Sequence, residues 1–195
     1  MPAAQDGKTT REAMLEAAQN ILADQGLEAL NSNAIVEKAG VTPPTFYHYF
    51  ANKHAVLREL GVRMMDAQNE VLRADTGLMI STEAELEAAC FNSIQKSYRM
   101  TRAFRGGYAL LVSLRAIPEL KEVRLNSHAE MADLLTRYMI EQKLCNDFDS
   151  VVVRARLGVE MRYAAIEMLF ETNFRNEQTV LAYTAKALTR VYDFF

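Results

Sequence analysis

Apolar residues recur at intervals of three and four along nearly the whole chain, and no two-residue alternation appears, so the pattern predicts helices and no strands. Met14, Ala17, Ala18, Ile21 and Leu22 form the stripe of a first helix, begun near Thr9 with Glu12 as a capping box and stopped at Gly26-Leu27. Asn31 caps a short second helix in which Ile35, Val36 and Ala39 turn inward. Gly40 supplies a positive φ, Val41 tucks under the turn, Thr42 caps a third helix and Pro43 stands at its first position, where no N–H is needed. Phe46, Tyr49 and Phe50 anchor that helix and leave Thr45, Tyr47 and His48 to reach outward. Asn52 caps a long fourth helix with Val56, Leu57, Leu60, Met64, Val71 and Leu72 on one face, broken at Gly77. A fifth follows, framed by Ser81 and Ala84 or by Thr82 and Glu85. Gly106-Gly107 interrupts or begins another, Pro118 opens one running to about Leu144, and Asn146-Asp147 separate it from the next. Two helices near 148–173 and 177–194, joined by the polar turn from Asn173 to Asn176, complete an all-α protein of about nine helices.

The segment from Leu30 to Lys53 has the layout of a helix-turn-helix, whose second helix enters the major groove of DNA. The stretch Thr9-Thr10-Arg11-Glu12-Ala13, followed by Ala-Gly-Val-Thr-Pro-Pro-Thr-Phe-Tyr-His-Tyr-Phe-Ala-Asn-Lys ending at Lys53, resembles the tetracycline-repressor-like (TetR) family of bacterial transcriptional regulators. The motif-bearing resemblance covers roughly residues 8–60; beyond it only length and helical character agree. It implies a three-helix DNA-binding domain over residues 1–52 and a helical ligand-binding and dimerisation domain over residues 53–195. It also implies a homodimer on a palindromic double-stranded operator, released when a small-molecule effector enters the second domain.

In similar proteins Thr42, Pro43, Pro44, Thr45, Tyr47 and His48 occupy the groove-contacting positions. Pro43 and Pro44 depart from the pattern, standing where many relatives carry Arg, Lys or Gly. A proline ring cannot hydrogen-bond guanine but can pack on a thymine methyl, so readout would be apolar, with the Thr45 hydroxyl and DNA shape adding the rest. Asn33 could reach a base edge or a phosphate, and Tyr47 and His48 suit phosphates, which position without specifying. Lys53 lies at a helix N-terminus favourable to a phosphate, while Lys8 and Arg11 could hold the backbone from the other side. His48 and Lys8 would look the same as merely solvated side chains.

The last two helices carry apolar residues around most of their circumference, which implies burial on two sides. Val159, Tyr163, Ile166, Phe170, Tyr183, Leu188 and Val191 are the candidates for a four-helix interface between protomers. The alternative is that both helices pack wholly inside one chain. Met and aromatic side chains in the middle helices suit an adaptable apolar pocket, with Phe91, Tyr98, Phe104, Tyr108, Met131, Tyr138 and Met161 as candidates. Arg102 and Arg162, with His128 and Glu160, could fix a polar group of a hydrophobic or amphipathic ligand, or sit in ordinary ion pairs. Most of these positions would serve equally as plain core.

Composition narrows the functions. Half of the 195 residues are hydrophobic, enough for a core and an interface, and a charged fraction of 24% excludes disorder as the dominant state. Up to Arg58 the basic residues are Lys8, Arg11, Lys38, Lys53 and Arg58, and six acidic residues outnumber them. Non-specific DNA affinity, which follows the phosphates neutralised, should therefore be modest. Cys90 and Cys145 have no partner at metal or CxxC spacing, and His48, His54 and His128 are likewise scattered. No phosphate-binding glycine loop or nucleophile elbow occurs, so no catalytic residue, metal or cofactor is expected and an enzyme is disfavoured. The N-terminal residues lack the apolar core of a signal peptide and no apolar run approaches a membrane span of roughly 20 residues, which fits a cytoplasmic protein without a membrane partner. The competing function is an all-α hydrophobic-ligand carrier without specific DNA binding, and a third possibility is a DNA-binding dimer whose partner is another protein.

Overall fold

The computed structural model describes residues 3–75, 79–142, 148–172 and 175–193, with side chains described from Thr9 onward except that of Asp75. The expected breaks at Gly77, Asn146-Asp147 and Asn173, the helix end near Leu144, and Cys145 lie outside the described residues. Nine α-helices and one 3-10 turn, with no strand, make up the described residues. They are α1 (Ala3–Gln25), α2 (Ser32–Ala39), α3 (Pro43–Tyr49), α4 (Lys53–Asp75), α5 (Glu83–Ala103), α6 (Gly107–Ala116), α7 (Lys121–Glu141), α8 (Phe148–Glu171) and α9 (Glu177–Tyr192). The 3-10 turn, Pro118–Leu120, precedes α7, so Pro118 opens a turn instead of the helix itself.

The chain divides into two compact units, Met1–Met64 with Arg102–Arg124, and Met65–Thr101 with Leu125–Phe195. Residue 52 marks the start of α4, whereas the units divide inside α4, between Met64 and Met65.

In the first unit Met14, Leu15, Ala18, Ile21 and Leu22 of α1 are buried, as their spacing requires. The helix starts earlier than the Thr9 capping box predicts, at Ala3, and the Glu12 carboxylate instead accepts hydrogen bonds from Arg63 of α4 at 2.7 Å. Gly26 ends α1 with a φ of 80°, its N–H donating to the Leu22 carbonyl. Leu110, Leu111 and Leu114 of α6 complete the core, and a Cβ on Gly61 of α4 would lie 2.7 Å from Leu114 Cδ2, so those two helices meet backbone to side chain.

The second unit packs the second half of α4, most of α5 and α7, and the α8–α9 pair. Thr82 and Glu85 form the box at the start of α5: Thr82 Oγ1 accepts from Glu85 N–H at 3.2 Å, while the Glu85 carboxylate accepts from Ser81 N–H at 2.8 Å. Several polar groups buried here are paired, such as Tyr163 Oη to Gln68 Oε1 at 2.9 Å and Ser127 Oγ to Asn69 Oδ1 at 3.1 Å. α8 and α9 approach so closely at Gly158 that Tyr192 Oη occupies the space of a side chain there.

Candidate nucleic-acid interface and effector cavity

The turn between α2 and α3 is built as its residues predict. Asn31 Oδ1 accepts from Ala34 N–H at 2.9 Å to start α2, and Gly40 ends it with a φ of 65°. Val41 N–H closes the turn on the Val36 carbonyl at 3.1 Å. Thr42 Oγ1 accepts from Thr45 N–H and lies 2.8 Å from Thr45 Oγ1. One hydroxyl proton serves that pair, which leaves the other for a partner outside the protein. Phe46 and Phe50 are buried and hold α3 down, their ring centroids 5.9 Å apart.

Thr42, Pro43, Pro44 and His48 are exposed on α3 and its cap, Thr45 is half-buried, and Asn33 is exposed on α2. Tyr47 is 58% exposed although its ring meets Phe46 edge-on, so the hydroxyl end extends from a fixed base. Two of the expected phosphate ligands also make contacts within the chain. Lys53 is half-buried and its Nζ donates to the Leu30 carbonyl at 3.0 Å, tying the start of α4 to the loop before α2. Arg11 forks onto the Glu59 carboxylate and lies over the Phe50 ring, 5.2 Å from its centroid. A neighbouring carboxylate and an aromatic face, both supplied by tertiary packing, are invisible in the residues around Arg11. The Lys8 side chain lies outside the described residues.

The second unit contains a small cavity of about 60 Å³. Its wall comes from Leu72 of α4, Ile80, a face of α5 (Leu86, Ala89, Cys90, Ser93 and Ile94), Leu135, Tyr138 and Met139 of α7, Arg162 of α8, and Leu188 and Tyr192 of α9. Tyr138 and Arg162 are therefore the two expected pocket residues that the cavity brings together. The others do not line it. Arg102, Phe104 and Tyr108 belong to the first unit. Tyr98 turns away to donate to Glu177 at 2.8 Å and to pack on Phe170, and Met131 is ordinary core. Phe91 is half-buried on α5 and absent from the cavity wall, and Met161 lies on the opposite, outward face of α8. The missed wall is mostly leucine and isoleucine, indistinguishable from core by composition. The available signals were Ser93 three residues after Cys90 inside an apolar stripe, and Arg162 set between Met161 and Tyr163. His128 and Glu160, the other polar candidates, pair with each other at 3.1 Å, His128 stacking on Tyr163. Burial pushes the Cys90 thiol up to about 12 and the Tyr163 hydroxyl up to about 12, so both are neutral near pH 7.

The expected interface residues also need correcting. Val159, Tyr163, Ile166 and Leu188 are buried within the chain itself, and Phe170 and Val191 are half-buried. A residue already covered in one protomer cannot present its side chain to another. Tyr183 alone of that set is well exposed, at 72%, and it lines an open groove with Met161, Ala164 and Met168 of α8 and Val180 and Ala187 of α9. Val153 and Leu157 extend the same outward stripe.

A glycine turn joining two short helices, the second held down by buried Phe46 and Phe50, is the layout of a helix-turn-helix. A family model described as bacterial regulatory proteins, tetR family, matches residues 14–60. The tetracycline repressor protein class C of Escherichia coli is 38% identical over 58 residues, which span 30% of this chain and about a quarter (26%) of that protein's length. The HTH-type transcriptional regulator EthR of Mycobacterium tuberculosis is 34% identical over 172 residues, covering 87% of this chain and 73% of EthR. The crystal structure of a TetR-family transcriptional regulator from Streptomyces coelicolor shares the fold with a TM-score of 0.67 over 99% of this chain and 96% of that one, at 18% identity. This chain belongs to the TetR family: it is an all-helical, helix-turn-helix, DNA-binding type of transcriptional regulator. No helix among the described residues is long and apolar enough to cross a membrane.

Proposed function

We propose that the protein is a ligand-responsive repressor that binds a palindromic operator as a homodimer and leaves it when a small hydrophobic or amphipathic effector fills the cavity. The observation that carries this reading is the outward edge of α3, where Thr42, Pro43, Pro44, Tyr47 and His48 are exposed over buried Phe46 and Phe50. The outward stripe of Leu157, Met161, Ala164 and Met168, beside Tyr183 on α9, supports pairing of two protomers through α8 and α9. Dimeric binding needs both recognition helices in register with half-sites about one helical turn, or a multiple, apart. α4 is one continuous helix beginning three residues after Phe50 and reaching Leu72 in the cavity wall. Displacement of Leu72 by an effector would bias that helix, and a ligand favouring one orientation of it shifts the population away from the operator-binding state. Asn33, Thr45, Lys8, Arg11 and Lys53 remain candidate DNA contacts, and Arg11 and Lys53 also fix the head through Glu59 and the Leu30 carbonyl.

Selection of bound sequences from a random duplex pool at near-physiological salt tests the reading. Recovery of a palindrome, lost on Tyr47→Ala with His48→Ala in a protein of unchanged helicity, is the expected result. Weak binding that collapses with salt and yields no motif would instead favour a hydrophobic-ligand carrier.

A further inference from the structure

One cation is buried in the wall of the second unit's cavity. Arg162 is 6% exposed and makes one hydrogen bond, from Nη1 to Ser93 Oγ at 3.1 Å, and no carboxylate among the described residues pairs with it. Other arginines of this unit behave differently: Arg73, Arg154, Arg156 and Arg190 all reach carboxylates. The three groups whose ionisation Arg162 favours are no substitute for an anion. Cys90, Tyr163 and Tyr192 are each held neutral by burial, with ionisation pushed well above its ordinary range. A guanidinium stays protonated in a protein, and a buried cation without a counter-ion is costly. The remaining wall is apolar, including Leu72, Leu86, Ile94, Leu135 and Leu188.

We infer that the cavity binds an amphipathic monoanion, a carboxylate seated on the Arg162 guanidinium with a narrow apolar body against the leucines and Ile94. The assignment rests on the cavity being the effector site and names the chemical class of the effector. With Nη1 engaged by Ser93, the Nε and Nη2 hydrogens are left to fork onto two carboxylate oxygens, the geometry arginine recognises best. One guanidinium neutralises one charge, so a carboxylate is matched and a dianionic phosphate monoester is not. A neutral ligand would leave the cation unpaired, and a cationic one would be repelled. The cavity is small, about 60 Å³, so the apolar body is a narrow chain and the wall gives way to admit it.

The test is titration calorimetry on the full chain near pH 7 with octanoate, methyl octanoate and octyl phosphate. Octanoate should bind about tenfold or more tighter than its ester, the difference expected for a charge-assisted hydrogen-bonded pair. Arg162→Met, which keeps an unbranched apolar stem, should abolish that preference while retaining ester binding. The acid-to-ester ratio of the unaltered protein decides the matter even if Arg162→Met does not fold. Equal or tighter binding of the ester, preference for the phosphate, or binding of none of the three overturns the proposal. Operator release is read separately. Acid binding without release keeps this assignment and removes the regulatory reading. Palindrome binding by a protein that ignores all three probes does the reverse.

Discussion

Gly158→Ala separates packing from helix propensity in the α8–α9 pair. By propensity alone, alanine in a helix interior should stabilise the protein by about 1 kcal/mol. The new Cβ, however, would lie 2.3 Å from Tyr192 Oη, 2.5 Å from Cε1 and 2.7 Å from Cζ. The ring is buried and rigid, so it must move as a body, and overpacking of that kind costs about 1–3 kcal/mol. With three ring atoms inside contact distance the upper half of that range applies, leaving a net loss of about 1–2 kcal/mol. Urea unfolding followed by circular dichroism measures it, at one fixed protein concentration because subunit association would make stability concentration-dependent. In a Tyr192→Ala background the clash is gone, and Gly158→Ala should then stabilise by about 1 kcal/mol. The double-mutant cycle should therefore return a coupling of about 2–3 kcal/mol. Stabilisation by Gly158→Ala in both backgrounds would refute the close approach of the two helices.

Three further outcomes are expected. Gly40→Ala should cost about 1–2 kcal/mol in urea unfolding, purely from backbone strain, because its φ is 65° and no atom lies within 4 Å of the added Cβ. Leu157→Glu with Tyr183→Glu should give a monomer in analytical ultracentrifugation with helicity unchanged, since both side chains are exposed within the chain; a persisting dimer would move the interface elsewhere. The Cys90 and Tyr163 ionisations lie higher in the folded protein, at about 12, than their ordinary values of 9.0 and 10.0. A raised folded-state value means that the associated stability is complete below the unfolded-state value and is lost as pH rises toward the folded one. The urea midpoint should hold up to about pH 9 and fall beyond it, and Cys90→Ala should delay the onset.

The helix-turn-helix was legible because every residue in it has a local task. Asn31 and Thr42 cap, Gly40 turns and Phe46 anchors, and each acts within a few residues of its own position. The internal contacts of Arg11 and Lys53 are not legible, for the opposite reason. Their partners are Glu59 and the Leu30 carbonyl, brought in by tertiary packing, so a cation near the motif looks free in the sequence. Identical chemistry serves either role, and only the fold decides between them.

The second unit was harder because its helices are apolar on more than one side, which removes the contrast that fixes helix phase. On α8 two stripes have helical spacing: Val159, Tyr163 and Ile166 on one side, Leu157, Met161, Ala164 and Met168 on the other. The first is buried in the chain and the second is open. A charge normally marks the solvent side of such a helix, yet Arg162 lies with the inner stripe and thereby inverts the signal. A helix of this composition gains nothing in folding from an unpaired buried guanidinium, since an apolar residue of similar volume would pack at less cost. Its presence makes sense if the protein is built for a second state, one in which the missing anion is bound. Stability of the empty protein should then rise on Arg162→Met, while discrimination of acids from esters is lost. Both changes in one variant would distinguish a functional cation from a merely tolerated one, because a structural arginine would lose stability and leave ligand preference untouched.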